Sequence, residues 1–565
     1  MKAMVCALAI DGPNLESMQR WLKSGKLPVI QSLIENGVTA QHFHTKQYRN
    51  DRCWDILLSG HHDATLTGSH FDPDTYDYYN ESLQREERYE PFYALGAHSR
   101  TCAFDLPATL SDKVEGIQVF GWGSELNASV AVSSPQELMS ELEERFGVDP
   151  KLKSQIKVLD HKTQEIEKSY VIPNLYDEAE LSSFKEDLLT SVEKRADICL
   201  DLLGREEWNL FLANFIEVHT ANHLLWHMGE DHPVNATPPE CNAILEVFQA
   251  IDRAFGKIIS ALPEDAKVVV YTIDDTRINS MDLPSMAMLP EMLFRWNFRD
   301  EAPLATSDLR TGVPPIRLDY KEPWKHELWK LVTKRGQLLL QSPSELESQG
   351  NPMSWHPAVW YQRHWNRMRA FSLPSVSDGY VRINVKGREA NGLVDPTDFQ
   401  DEIRAVSDII QSLKDPTTGK SLVKALTVTR KTPFELPEIP PDLIVSWNDK
   451  SIPADCCISD TLGSIGPLPY FRTGGHHPHG NEVEGTLIIS GQGIQSGQSL
   501  APAQLEDIPA TILGLMGVAP QTPITGRDIL RTRVDSASLS LAAPHSELRQ
   551  NDEKMDRSVR AEDFG

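Results

Sequence analysis

The sequence predicts an α/β protein built on a mostly parallel β-sheet with helices on both faces. Three observations lead there. Short, continuous apolar runs recur at residues 3–10, 208–216, 267–271 and 485–490, as expected of strands buried on both faces. Helical patterns separate them, as βαβ connections require. Acidic or histidine clusters follow several of the runs, at the strand ends where ligands collect in open α/β sheets.

Each element follows from its local pattern. Residues 3–10 form the first strand, and Asp11-Gly12-Pro13-Asn14 turns the chain. Helices are expected over residues 15–24 and 28–36, the second closed by Gly37 as a C-terminal glycine cap. The run at 208–216 leads into Glu217-Val218-His219. A helical pattern over residues 241–262 feeds the β-branched strand at 267–271, which ends near Asp274 and Asp275. The last run follows a histidine cluster. Residues 300–375 are rich in Trp, Pro and charge without clean periodicity, and are expected to be an irregular insertion in a main domain over residues 1–533. Residues 534–565 turn Ser/Ala-rich and then charged, with too few apolar side chains to pack, so a disordered tail is expected.

Composition narrows the function. A chain of 565 residues can hold one large α/β domain. Its 81 acids against 55 bases, for a net charge of −26, exclude a phosphate-backbone groove for nucleic acid. A small anionic substrate stays compatible, because bound cations can dominate the local field. Seven cysteines, an odd number without the Cys-x-x-Cys spacing, favour a reducing compartment. The first apolar run meets Asp11 too soon for a secretory signal, and no run approaches the roughly 20 residues of a membrane span. A soluble cytoplasmic protein without a membrane partner is expected.

Four clusters are candidates for chemistry: Asp11; His219 with His223; Asp274 with Asp275; and His476 with His477 and His479. Carboxylates and imidazoles converging from separate strand ends are what a two-cation site of zinc or manganese type needs. His219 and His223 are four apart, so on a helix their rings share one face. Each cluster also has a plainer use. Asp after a strand commonly caps a helix or makes a turn, and His477 and His479 suit a solvated loop.

The order of these segments resembles the type I phosphodiesterase/nucleotide pyrophosphatase branch of the alkaline phosphatase superfamily. Asp11-Gly12 with Trp21-Leu22 and Gly25-Lys26-Leu27-Pro28 is similar to the family's start. Cys53-Trp54-Asp55-Ile56-Leu57-Leu58-Ser59-Gly60 resembles its nucleophile segment, Trp-Thr-x-x-Leu-Thr-Gly. Phe71-Asp72-Pro73-Asp74-Thr75-Tyr76 and Phe104-Asp105-Leu106-Pro107 resemble blocks of its bacterial members, and residues 217–227 a Glu-Thr-His-x-x-Gly-His-x-x-Trp-His variant. Residues 381–389 and 441–447 resemble two further blocks, and Thr473-Gly474-Gly475-His476-His477-Pro478-His479-Gly480 the terminal ligand motif. Gly491-Gln492-Gly493-Ile494 and a helix start at residues 507–512 follow, so the resemblance spans about residues 5–530.

The resemblance implies two divalent ions, zinc or manganese, acting on a small phosphorylated substrate. One ion would take His219, His223 and His476, and the other Asp11, Asp55, Asp274 and Asp275. His477 and His479 would lie near the substrate. Two positions depart from the family. Asp55 stands where the nucleophilic Thr is usual, and Thr272-Ile273-Asp274-Asp275 where Ser-Asp-His-Gly is usual. That second alignment can slide by one residue; the version in which Asp274 keeps the Asp and Asp275 replaces the His preserves a ligand at each place. A carboxylate at 55 can ligate metal, attack phosphorus as aspartyl-phosphate enzymes do, or fix the attacking hydroxide. Extra carboxylates favour harder ions such as manganese and weaken attraction for an anionic phosphate. Three readings follow: a phosphoester or phosphoanhydride hydrolase with an atypical centre, an enzyme turned to other metal-assisted chemistry, or a non-catalytic binding or scaffold protein.

Overall fold

The structure is a computed structural model that describes residues 3–45, 52–62, 69–80, 89–123, 131–152, 158–159, 166–167, 173–175, 177–230, 232, 241–304, 324–351, 353–435, 440–448, 455–470, 472–476 and 482–531. The tail at 534–565, His477 and His479 lie outside these residues.

The elements that frame the site run in this order. First come β1 (Val5–Asp11), α1 (Leu15–Lys23), α2 (Pro28–Glu35), β2 (Gly37–Thr45) and α3 (Arg52–Ser59). Next are β3 (Thr101–Phe104), β4 (Gly116–Phe120), β5 (Val132–Ser134), α4 (Glu178–Leu203), β6 (Leu210–Phe215), α5 (Glu217–Leu225) and α6 (Ala243–Ser260). Then follow β7 (Lys267–Ile273), β8 (Thr276–Ile278), α7 (Leu289–Asn297), β9 (Ala370–Leu373), β10 (Gly379–Ile383), α8 (Phe399–Gln411), β11 (Val423–Val428) and β12 (Leu443–Trp447). The last are β13 (Gly474–His476), β14 (Glu482–Gly491), β15 (Gln498–Ser499), β16 (Ala503–Gln504) and α9 (Asp507–Met516).

Among the described residues ten strands make the main sheet, ordered β15-β2-β14-β7-β1-β6-β3-β4-β5, with β16 also on β2. Its centre is parallel: β1 pairs with β6 and β7, β6 with β3, and β3 with β4. All seven residues of β1 are buried, which is why its sequence is apolar without alternation. The two faces have separate cores. Cys6, Leu8 and Ile10 pack with side chains of α1, α2, α4, α5 and α6, whereas Val5, Ala7 and Ala9 pack with those of α3 and α9. The protein is therefore α/β, with a large, mostly parallel mixed sheet and helices on both faces.

Two local expectations are corrected. The run at 485–490 reads like its parallel neighbours, yet β14 is antiparallel to both β7 and β2. The chain reaches β14 from β13, which ends at His476 beside β8. A connection this short cannot cross the sheet, so the strand must start at the end where β7 finishes. Gly37 is not a helix cap. The cap is Asn36, and Gly37 opens β2, where an added Cβ would stand 2.3 Å from the Ile489 carbonyl oxygen. Close strand approach, rather than a left-handed turn, calls for glycine there.

The Trp-rich stretch is irregular in sequence and packed in its described part. Its described part holds helical segments of four to six residues, among them Trp324–Trp329, Pro343–Ser348 and Pro357–Trp360. Trp360 and Trp365 are fully buried. Helices this short show no readable periodicity, so their apolar residues look scattered in the sequence. Next to it, β9-β10-β12-β11 form a four-stranded antiparallel sheet. Asp442, just before β12, is gripped by Arg388 and Arg430, each at 2.7 Å, which explains two of the sequence blocks as a structural ion cluster. Among the described residues no helix is long and apolar enough to cross a membrane.

Candidate metal centre

The central strands β7, β1 and β6 are neighbours, so their C-terminal ends lie side by side. Asp11 closes β1, Asp274 and Asp275 follow β7, and β6 runs through Ile216 into α5, which carries His219 and His223. His476 arrives from β13, whose pairing with β8 sets His476 opposite Thr276. Four distant stretches of sequence thus meet at one sheet edge.

His219, His223 and His476 are all buried, and one ligand nitrogen from each lies within 4.8 Å of the others. It is the one such group of three His, Cys, Asp or Glu side chains among the described residues. Helical spacing brings the rings of His219 and His223 to 4.5 Å between centroids. Nε2 of His219 stands 3.4 Å from Nε2 of His476. Two imidazole nitrogens bound to one tetrahedral ion at about 2.0–2.1 Å lie about 3.3–3.4 Å apart, so this pair already has the spacing of a tetrahedral edge. Three neutral imidazoles are a donor set for zinc and related transition ions. The residues fit a metal.

The carboxylates stand behind the rings. Nδ1 of His476 lies 2.8 Å from Oδ2 of Asp274, and Nδ1 of His219 lies 3.6 Å from Oδ1 of Asp11. Each carboxylate lies on the far-nitrogen side of its ring, where its charge strengthens the imidazole as a donor to a metal. Asp11 also accepts the Trp54 indole N–H at 3.1 Å, which ties the start of α3 to the end of β1. Asp275 accepts the Leu15 N–H at 3.0 Å, at the first turn of α1. Asp55, half-buried, follows Trp54 in α3. Asp11, Asp274 and Asp275 therefore sit around the same edge, with Asp55 one residue beyond Trp54 on α3, and no three of the four gather as the histidines do.

Backbone packing frames the centre. Gly12 has φ of +56°, and a Cβ on it would fall 2.6 Å from Cγ of His219. Its carbonyl accepts from Asn222 at 2.7 Å and from Thr276 at 2.9 Å, linking the β1 turn to α5 and β8. Below α5, Glu217 pairs with Arg195 at 2.8 Å, and Arg195 pairs with Asp105 at 2.6 Å, all buried. Burial disfavours the Arg195 charge, but Glu217, Asp105 and Asp149 more than offset this and raise its pKa.

Sequence reasoning missed Arg472 and Asp282. Arg472 precedes the glycines of the histidine motif, and its Nη1 donates to Nε2 of His223 at 3.0 Å. His223 Nδ1 in turn donates to the Gly474 carbonyl at 2.9 Å. Burial, then the neighbouring Arg472, hold the His223 pKa well below its ordinary value, so the ring is neutral. Asp282 pairs with Arg472 and is itself buried. Nothing in spacing marks such a contact, since 190 residues separate the pair.

No protein-family model matches the chain, and no curated protein matches it in sequence.

Proposed function

We propose that the chain is a metal-dependent hydrolase of a small phosphoryl substrate, a phosphodiester or phosphoanhydride, on an alkaline phosphatase-like fold. The observation that carries this reading is the buried triad of His219, His223 and His476, with its tetrahedral-edge spacing. The colinear resemblance to the phosphodiesterase/nucleotide pyrophosphatase branch supplies the substrate class. A net charge of −26 argues for a small substrate over a nucleic-acid polymer.

The three histidines would hold one divalent ion, zinc by donor type. A second ion, harder in character, would draw on Asp11, Asp55, Asp274 and Asp275. When bound, such ions polarise phosphoryl oxygens and neutralise the charge that builds on them. Asp274 and Asp11 orient the rings of His476 and His219. Asp55 is the reacting group: its carboxylate attacks phosphorus and expels the alcohol or phosphate leaving group, giving an acyl phosphate that water cleaves to restore Asp55 and release the phosphoryl product, or it orients the attacking water. His477 and His479, next to His476 in sequence, would contact substrate.

A binding or scaffold role is the second reading. It is favoured by Asp55 at the usual Thr position and by Arg472 on His223. Elemental analysis of the purified protein, beside the His219→Ala/His476→Ala variant, separates the two. About two ions per chain, lost in the variant, supports the hydrolase and justifies a panel of nucleotide and aryl phosphodiesters. One ion leaves the carboxylate site empty. No bound metal after zinc or manganese is supplied overturns the hydrolase reading.

A further inference from the structure

We infer that Arg472 is a latch on the third metal ligand, withholding His223 from the ion until the guanidinium is displaced. The inference rests on the reading of the histidine triad as a metal site, and it names how that site is controlled.

The argument is one of lone pairs. His223 donates through Nδ1 to the Gly474 carbonyl, so its only lone pair on nitrogen is at Nε2. That lone pair accepts the Arg472 Nη1 proton at 3.0 Å. One lone pair cannot serve a hydrogen bond and a metal bond together. Arg472 cannot yield by losing its proton, because a guanidinium stays charged in proteins. An ion about 2.0–2.1 Å from His223 Nε2 would also stand against a buried positive charge.

His219 and His476 are placed differently. Their Nε2 atoms face each other at 3.4 Å, and their far nitrogens look toward Asp11 and Asp274. The Nε2 atoms of His219 and His476 thus meet each other, whereas that of His223 meets a guanidinium.

Arg472 is anchored for such a role. Its Nε and Nη2 face the two oxygens of Asp282, the latter at 3.4 Å, which leaves Nη1 to reach His223. Asn279 braces the pair, donating to Asp282 at 2.7 Å and to the Arg472 carbonyl at 3.0 Å. Because the guanidinium is one rigid plane, Nη1 leaves His223 when the whole group turns on its Asp282 contact. Opening the latch costs one charge-assisted hydrogen bond, which lowers metal affinity by about tenfold to a hundredfold relative to an unlatched site.

Calorimetric titration of Zn²⁺ into metal-stripped protein tests this. Arg472→Met should bind Zn²⁺ about tenfold to a hundredfold more tightly than the parent. Since Arg472→Met leaves Asp282 buried and unpaired, Arg472→Met/Asp282→Leu serves as a second variant that removes both charges. His223→Ala completes a double-mutant cycle: it should weaken binding far more in the Arg472→Met background than in the parent. Equal or weaker binding by both folded latch variants, or the same His223→Ala loss in both backgrounds, overturns the latch. If binding is unchanged by the latch variants yet abolished by His219→Ala/His476→Ala, the metal site stands and only the latch falls. If no protein in the set binds Zn²⁺, both readings fall together.

Discussion

Replacing Asp274 by Asn should weaken metal binding without unfolding the protein. Asp274 has φ of +59°, a left-handed conformation that Asn tolerates and most residues do not. One of its oxygens accepts the Asp275 N–H at 2.7 Å, and an Asn side-chain carbonyl can keep that bond. The other oxygen, 2.8 Å from Nδ1 of His476, loses its charge. Loss of a carboxylate behind a ligating histidine typically costs about tenfold to a hundredfold in metal affinity, or about 1.4–2.8 kcal/mol. Asp11→Asn should cost less, because Asp11 stands 3.6 Å from its histidine and attraction falls with distance. Competition for Zn²⁺ against a chromophoric chelator gives the affinity, and thermal unfolding of the metal-stripped protein shows whether the fold survives. Parent-like affinity in a folded Asp274→Asn protein would refute the role given to this carboxylate.

Two further outcomes are expected. Burial, then the charge of His44, push the His42 pKa down to about 3, against the opposing pull of the Thr272 carbonyl that accepts from Nε2 at 3.0 Å. Unfolded His42 takes up its proton near pH 6.5, so below that pH the unfolded chain binds more protons and stability falls. The loss is about 2 kcal/mol between pH 6.5 and 5, and urea unfolding at the two values should show a smaller drop for His42→Gln than for the parent. Arg195→Met strands Glu217 and Asp105, both buried, and should destabilise the protein by about 3–5 kcal/mol. Denaturant unfolding of the metal-stripped protein measures it; a loss under 1 kcal/mol would mean that the carboxylates find other partners.

Much of the candidate site was legible because its residues obey local rules. The apolar run before Asp11 and the β-branched run before Asp274 announce buried strands, and their ends announce where acids gather. The spacing of His219 and His223 places them on one helical face whatever the rest of the chain does. The part played by each acid was less legible. Asp274 and Asp275 are adjacent in sequence, yet one faces His476 and the other takes the first turn of α1. A backbone turn with positive φ divides them, and residue type does not reveal it.

Composition, period and order determined the class of fold, the central strands and the histidines offered to a metal, because burial on both faces and helical spacing are imposed over a few residues at a time. Only the tertiary structure decided that β14 runs antiparallel, that Gly37 serves strand approach, and that Arg472 reaches His223. Those outcomes depend on which distant segments share space. A directed lone pair or a close backbone contact is fixed by partners hundreds of residues away, and no local pattern carries that information.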